Sequence, residues 1–486
     1  MSADNQLGDL PNAELRAQGE RLLAWIAAYL EHPEKYPVVS PLAPSDVRRS
    51  LPAAPPSKPE SLERIIDDFE QRILPGITHW NHPGFFAYFS ISSSIPGILA
   101  ELLTAALDVN AMLWKTSPAA TELEELAMDW LRQLLGLGDG WFGTITDTAS
   151  ISTMLALAAA REAKPELAIR ARGMAGRTDL PVLRVYCSEQ SHSSVEKGAL
   201  TLGIGLDNVV KIPCDDEFRM RPDALAQTIA ADRAQGFLPL ACVATVGTTS
   251  SASIDPVPEI AAICRAEGIW LHVDGAYGGM AAVSPRFRHV LNGVDGADSL
   301  VVNPHKWLFT PIDCSAFYTR RPDVLKRAFS LVPEYLVTRE QDEVVNFMDY
   351  GVQLGHRFRA LKLWMVIRAF GAEGLAARLE RHCELARTFA AWVEQEPDWE
   401  TSAPTLFSLV CFRFAPRAAS EQVCEAHNAR ILQRVNASGE AYLSHTKLNG
   451  RYVLRLAIGN IRTEERHVAR AWELLREAAS AERASG

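Results

Sequence analysis

The chain has no cysteine pair at C-x-x-C spacing; its eight cysteines are scattered singly. That excludes a zinc ribbon or a dithiol redox motif and predicts free, reduced thiols and no metal site. Runs of Lys and Arg are missing, and the formal net charge is −10. A nucleic-acid surface needs a basic face, so none is expected. Long apolar runs are missing as well. Stretches such as residues 154–160 are too short to cross a bilayer, and no membrane partner is expected. The start, MSADNQLGDL, is polar and acidic and lacks the basic residues and apolar stretch of a secretory signal. These absences together predict a cytoplasmic protein. There are no internal repeats and no low-complexity tail.

What is present points to two or three domains, since 486 residues with 48% hydrophobic content exceed single-domain size and can bury substantial cores. In residues 13–30, Leu15, Leu22, Leu23, Ile26 and Leu30 recur near helical spacing and predict an amphipathic helix. Eight prolines follow between Pro33 and Pro59, predicting an extended, irregular stretch. A helix resumes over residues 61–74. These segments are apolar yet too thin to form a core, so they are expected to pack on something larger, a second subunit.

From Pro96 the pattern alternates strands and helices. Residues 121–135 read as a helix capped by Thr121, with Glu124 completing a capping box and Gly136 ending it. Leu123, Leu126, Trp130 and Leu134 form its expected apolar stripe. Short β-rich runs lie at 183–187, 240–246, 269–273 and 299–302, with helical stretches between them such as Val257–Glu267. Their apolar character fits parallel strands covered on both faces, an α/β fold whose site lies at the carboxyl ends of the strands. After about Gly374 a long helix leads to a smaller unit with strands at 406–414 and 451–458.

Four of the predicted strand ends carry unusual groups. One runs into Ser188 through Ser194 with His192, one into Gly247-Thr248-Thr249, one into Asp274-Gly275-Ala276-Tyr277, and one into Asn303-Pro304-His305-Lys306-Trp307. Taken singly these are ordinary caps, turns or a surface lysine. Taken together, in this order at consecutive strand ends, they bring a His, a Thr, an Asp and a Lys to one cleft. Pyridoxal phosphate needs such a set: a lysine amine to hold it as an imine, a carboxylate to keep its pyridinium nitrogen protonated, and a flat side chain over the ring. Thr148, Ala149 and Ser150 at the start of a helix offer hydroxyls and N–H groups to its phosphate.

At these residues the chain resembles the group II pyridoxal-phosphate decarboxylases, and within them the aromatic-L-amino-acid decarboxylases. Asn303 through Trp307 is similar to the family's lysine motif, and Ser191 through Lys197 to its ring-stacking histidine motif. Trp80 through Phe89 and Ser117 through Glu124 are also family-like, and the similarity extends from about Leu15 to Glu477. The resemblance implies pyridoxal 5'-phosphate as cofactor and the fold type I architecture. Residues 1–94 would be a helical segment packing on the partner of a homodimer with shared active sites. Residues 95–385 would be a large cofactor-binding domain around a mainly parallel seven-stranded sheet, and 386–486 a small α/β domain. It implies that Lys306 holds the cofactor, Asp274 partners the ring nitrogen, and His192 and Ala276 cover the two ring faces. Thr249 would support the cofactor or substrate. Thr148, Ala149, Ser150, Asn303 and His305 would surround the phosphate and the lysine linkage. Tyr335 would protonate the substrate carbon after carbon dioxide leaves; related aldehyde synthases carry phenylalanine there.

The expected substrate is an aromatic L-amino acid: tryptophan, phenylalanine, tyrosine or a hydroxylated form. Phe85-Phe86-Ala87-Tyr88-Phe89 offers aromatic surface where a glutamate enzyme would need a cation. Trp80, Tyr88, Phe89, Ile91, Asn110, Met112 and Gly355 are the pocket candidates. Ile91 and Met112 stand where animal members carry threonine and phenylalanine, and Gly275 where alanine is usual. Gly355 matches the glycine of plant tryptophan-type enzymes, which leans towards indole or broad aromatic use. The competing readings are an aldehyde synthase, a decarboxylase of another amino acid, an aminotransferase and a non-catalytic scaffold.

Overall fold

The computed structural model describes residues 8–331, 340 and 343–485. Its centre is a sheet of seven strands: β1 (Phe142–Thr146), β2 (Leu183–Ser188), β3 (Val209–Ile212), β4 (Leu238–Thr245), β5 (Trp270–Asp274), β6 (Ser299–Val302) and β7 (Ser315–Thr319), in the order β1-β7-β6-β5-β4-β2-β3. β7 runs antiparallel to both its neighbours, β1 and β6, whereas β3, β2, β4, β5 and β6 pair in parallel. β1 therefore points the same way as the parallel set. This is the mainly parallel α/β sheet expected from the apolar strands.

Alternation along each strand feeds two cores. Cys242 and Ala244 of β4 enter one cluster with Leu271, Val273, Leu300 and Val302. Ala241 and Val243 face the other way, onto Leu155, Ala159, Val195 and Ala199 of the helices Ala149–Glu162 and Ser194–Thr201. Because both faces are covered, the strands read as unbroken apolar runs. The helix Val257–Glu267 has the bounds that its periodicity predicts.

The helix predicted over residues 121–135 starts earlier, at Pro118. Its cap is Ser117, whose hydroxyl accepts from the Ala120 N–H, and not Thr121. Pro118 suits the first helical position because its missing N–H would find no partner there anyway. Thr121 and Glu124 are buried instead, on a face with Ala127, Met128, Leu131 and Leu135. The predicted stripe is thus rotated, with Leu126 left 42% exposed. Glu124 accepts from the Ile145 N–H at 2.8 Å and pairs with His356 at 2.7 Å, a tertiary role that outweighs the local capping box.

A smaller sheet follows the long helix Ala360–Gln395: β8 (Trp399–Thr401), β9 (Leu409–Phe414), β10 (Ser444–Leu448) and β11 (Arg451–Ala457), ordered β10-β11-β9-β8 and antiparallel throughout. It has its own core around Phe389, Phe412, Leu454 and Leu475. At the other end of the chain, the helix Asn12–Glu31 has no buried residue. No helix among the described residues is long and apolar enough to cross a membrane.

Candidate active site

Parallel strands that end on one edge deliver their last residues to one cleft. β5 ends in Asp274, whose register partner is Thr245 at the end of β4. β6 runs into Asn303 and the single turn Pro304–Trp307, which carries Lys306. β2 leads to His192 just before the helix Ser194–Thr201, and β1 leads to Thr148 just before the helix Ala149–Glu162. A cavity of about 190 Å³ collects Thr148, Ala149, Ser150, His192, Thr249, Asp274, Ala276, Asn303, His305 and Lys306, together with Phe89. Every cofactor candidate named from the sequence therefore lines one space.

The electrostatics suit an amine trap. Burial lowers the Lys306 ammonium below its usual range, against the pull of Asp274, so it gives up its proton more readily than an exposed lysine. Burial likewise lowers His192, opposed by Asp274 and aided by Lys306. The His192 Nδ1 accepts from the Ser194 N–H at 3.1 Å, which orients a neutral, flat ring. His305 is pushed down to about 3 by burial and by Lys306, and its Nδ1 accepts from the Cys314 N–H at 3.0 Å. Its proton is therefore on Nε2. Asp274 Oδ1 takes the Ala276 N–H at 3.1 Å, and Asn303 Oδ1 takes the Ser315 hydroxyl at 2.6 Å.

Two further features fit a bound phosphorylated ring. Thr148 makes no side-chain cap to the helix it begins, so first-turn N–H donors are available for an anion. The Thr245 hydroxyl is buried at the cavity with no hydrogen-bond partner among the described residues. An amine, a carboxylate, a neutral imidazole, an uncapped helix start and an orphaned hydroxyl form the donor set that pyridoxal phosphate requires.

Residues 44–415 match the pyridoxal-dependent decarboxylase conserved domain. The chain belongs to that family. This decarboxylase is 41% identical over 480 residues to tyrosine decarboxylase 2 of Arabidopsis thaliana, covering 96% of this chain and 87% of that one. It is 39% identical over 484 residues to a phenylacetaldehyde synthase of Arabidopsis thaliana, covering 98% and 97%. Its fold matches a crystal structure of Oryza sativa TDC with PLP and tryptamine at a TM-score of 0.94 and 35% identity, covering 98% of this chain and 99% of that one. The fold type I architecture and the cofactor implied by the motifs are thereby established.

The substrate candidates of the decarboxylase divide. Phe89 stacks on Tyr277 with centroids 3.7 Å apart, Tyr277 stacks on Trp307 at 4.9 Å, and Lys306 Nζ lies 5.5 Å from the Phe89 ring centroid. The other candidates do not line this chain's cavity. Trp80 stacks on Phe85 at 4.2 Å and on Tyr88, which is 51% exposed. Ile91 is half-buried. Asn110, Met112 and Gly355 gather elsewhere: Asn110 Oδ1 takes the Met112 N–H at 3.2 Å and the His356 N–H at 2.9 Å. A Cβ on Gly355 would meet Asn110 Nδ2 at 3.8 Å. Tyr335 lies outside the described residues.

The geometry also adds residues. Thr245, Gly247 and Tyr277 line the cavity. Arg455, 4% exposed, donates to the Thr249 carbonyl at 2.7 Å and places its guanidinium 5.4 Å from the Phe89 centroid. Tyr277 lies three residues past Asp274 and was within reach of the strand-end reading. Arg455 sits inside β11 and has no local signal. Gly275 has a steric reason: a Cβ there would lie 3.1 Å from the Val301 carbonyl oxygen, tighter than ordinary contact.

Proposed function

We propose that this enzyme decarboxylates an aromatic L-amino acid to the amine and carbon dioxide. The observation that carries the reading is Phe89, backed by Tyr277 and behind it the buried Trp307, lying beside the Lys306 amine in a cavity that also holds Asp274 and His192. Relatives named for tyrosine decarboxylase and tryptophan decarboxylase support it. Lys306 would hold pyridoxal phosphate covalently. Asp274 would keep a proton on its ring nitrogen, and His192 and Ala276 would cover its faces. Thr148, Ala149 and Ser150 would take the phosphate, with Thr249, Asn303 and His305 around them. When bound, the cofactor supplies an electron sink for the pair released as the Cα–carboxylate bond breaks.

The chain's own groups set direction. Phe89 would offer apolar aromatic surface to the substrate ring, with Tyr277 and Trp307 stacked behind it as support. Asp274 would offer its carboxylate to the cofactor's ring nitrogen. The Tyr335 hydroxyl delivers the proton that replaces the carboxylate at Cα.

We also read the enzyme as a homodimer with shared active sites. The helix Ile95–Leu107 leaves Ile95, Leu99, Leu102, Leu103 and Leu107 between 42% and 61% exposed, a face that a second copy would cover. Trp80, Tyr88, Ile91, Asn110, Met112 and Gly355 would then complete a site together with the partner. The division at residues 94 and 385 follows the same reading. Unpaired cysteines support a reducing, cytoplasmic setting.

The test is a panel of amino acids, with mass spectrometry for amine and aldehyde and direct measurement of carbon dioxide. Amine and carbon dioxide in equal amounts from tryptophan, tyrosine or phenylalanine are expected. Aldehyde with peroxide would instead assign an aldehyde synthase, the activity named for several relatives. Turnover of acidic or aliphatic amino acids alone would overturn the aromatic reading.

A further inference from the structure

Behind His305 and Asn303 lies a charged cluster that touches neither the cavity nor the reacting atoms. Asp313 sits in the loop between the lysine turn and β7. Arg359 grips its carboxylate with two parallel bonds, Nε to Oδ1 and Nη2 to Oδ2, each 3.0 Å long. Arg359 is 8% exposed and immediately precedes the helix Ala360–Gln395. On the first turn of that helix Lys362, 1% exposed, puts its Nζ 2.5 Å from Glu101 Oε1 and 3.8 Å from Asp313 Oδ1. Arg357 pairs with Glu101 as well. Glu101 belongs to the helix Ile95–Leu107, so the cluster bolts the Asp313 loop to two helices.

The clamp reaches the cavity through one peptide bond. The N–H of the Asp313–Cys314 peptide is the donor to His305 Nδ1 at 3.0 Å, and the His305 N–H returns a bond to the Cys314 carbonyl at 3.2 Å. The next residue, Ser315, donates to Asn303 Oδ1 at 2.6 Å. His305 of the lysine turn and Asn303 just before it are thus oriented by the two residues that follow Asp313. A planar guanidinium bound at two points resists rotation of the carboxylate in a way that a single point charge cannot. Holding the Asp313–Cys314 peptide still fixes which His305 nitrogen is the acceptor, and so keeps the Nε2 proton where the cavity can use it.

We propose that Arg359, acting through Asp313, is a positioning residue that aims His305 and Asn303 at the cofactor pocket. The inference rests on His305 serving that pocket, the role proposed for it with Thr249 and Asn303. It predicts a specific pattern of dependence between residues. Arg359→Gln should lower kcat about tenfold, within the range typical of groups that orient a primary contact, with a smaller change in KM and an altered absorbance spectrum of the bound cofactor. Arg359→Lys, which keeps the charge and loses the fork, should recover part of kcat.

The experiment uses the holoenzyme and compares each Arg359 change in the natural background and in His305→Gln, with kcat, KM, the cofactor spectrum and Tm as readouts. Loss of kcat in the natural background and less than about a twofold further loss in His305→Gln is expected. Equal losses in both backgrounds would overturn the proposal, because Arg359 would then act independently of His305. An unchanged kcat and spectrum in Arg359→Gln would overturn it also. Where Arg359→Gln does not fold, Arg359→Lys carries the same comparison, and the same two results decide it. If His305→Gln alone leaves cofactor affinity, spectrum and turnover untouched, the reading of His305 fails, a result distinct from failure of the Arg359 link.

Discussion

At the residue scale, burial and one nearby carboxylate act in opposite senses on the amine of Lys306, the residue proposed to hold the cofactor. Burial is the larger effect and lowers the ammonium's pKa, while Asp274 pulls the other way. Lys306→Ala should abolish the yellow absorbance of the bound cofactor and reduce turnover by at least about a thousandfold, read by absorbance and amine production. An intact spectrum and intact turnover would remove the covalent assignment. Tyr335→Phe addresses a different step. The variant should keep the cofactor and shift product from amine towards aldehyde on mass spectrometry, whereas unchanged amine formation would strip Tyr335 of its proton-delivering role.

At the scale of elements, the helix Pro118–Leu135 separates local from tertiary effects. Its N-cap bond comes from Ser117, and Thr121 is fully buried with no partner for its hydroxyl among the described residues. Ser117→Ala should cost about 1 kcal/mol in denaturant unfolding. Thr121→Val, similar in shape and without the orphaned hydroxyl, should cost nothing or stabilise the protein. The reverse ranking would restore Thr121 as the cap. The difference between expectation and structure has a physical cause. Thr121 and Glu124 have capping-box spacing, but Glu124 is recruited by Ile145 on β1 and by His356, more than 200 residues away in sequence. A short sequence window cannot see either partner.

At the scale of the whole molecule, two properties are open to measurement. The exposed leucines of the helix Ile95–Leu107 should hold two copies together. Leu102→Glu combined with Leu103→Glu should convert a dimer to monomer in analytical ultracentrifugation and lower activity if the sites are shared. A dimer that survives both changes would move the interface elsewhere. The second property is acid sensitivity. Burial lowers His82, His272 and His382 to about 4 and His305 to about 3, from the ordinary 6.5. The folded state therefore resists protonation that the unfolded chain accepts. Their contribution is fully present above pH 6.5 and is lost as pH falls from 6.5 through 4, and through 3 for His305, by up to about 3 kcal/mol each for the first three and about 5 kcal/mol for His305. Tm should drop steeply over that window. His382→Gln, which retains an acceptor for the Trp307 indole N–H bound at 3.0 Å, should flatten the drop. A Tm independent of pH across the window would contradict the link between histidine burial and acid sensitivity.

Much of the fold and most of the lining of the cavity were legible in the sequence. Apolar strands and helical periodicity are local properties, so β6 and the helix Val257–Glu267 appear in the chain as they do in the structure. Lys306, Asp274 and His192 were legible because a parallel sheet sends its strand ends to one edge, which makes a linear series of turns into a cavity. Strand order was not legible: β7 enters between β1 and β6, antiparallel to both, a choice set by packing across the sheet. Nor was the division of the aromatics, where Phe89 meets the cavity and Tyr88 beside it stays 51% exposed. Arg359 and Arg455 escaped for the same reason. Each acts on residues far away in the chain, Asp313 at a separation of 46 and Thr249 at 206. The sequence alone determined which groups could do the chemistry, since residue type and strand-end position are local facts. Only the tertiary structure decided which charges hold those groups in place, because a salt bridge or a stack exists only once distant segments are brought into contact.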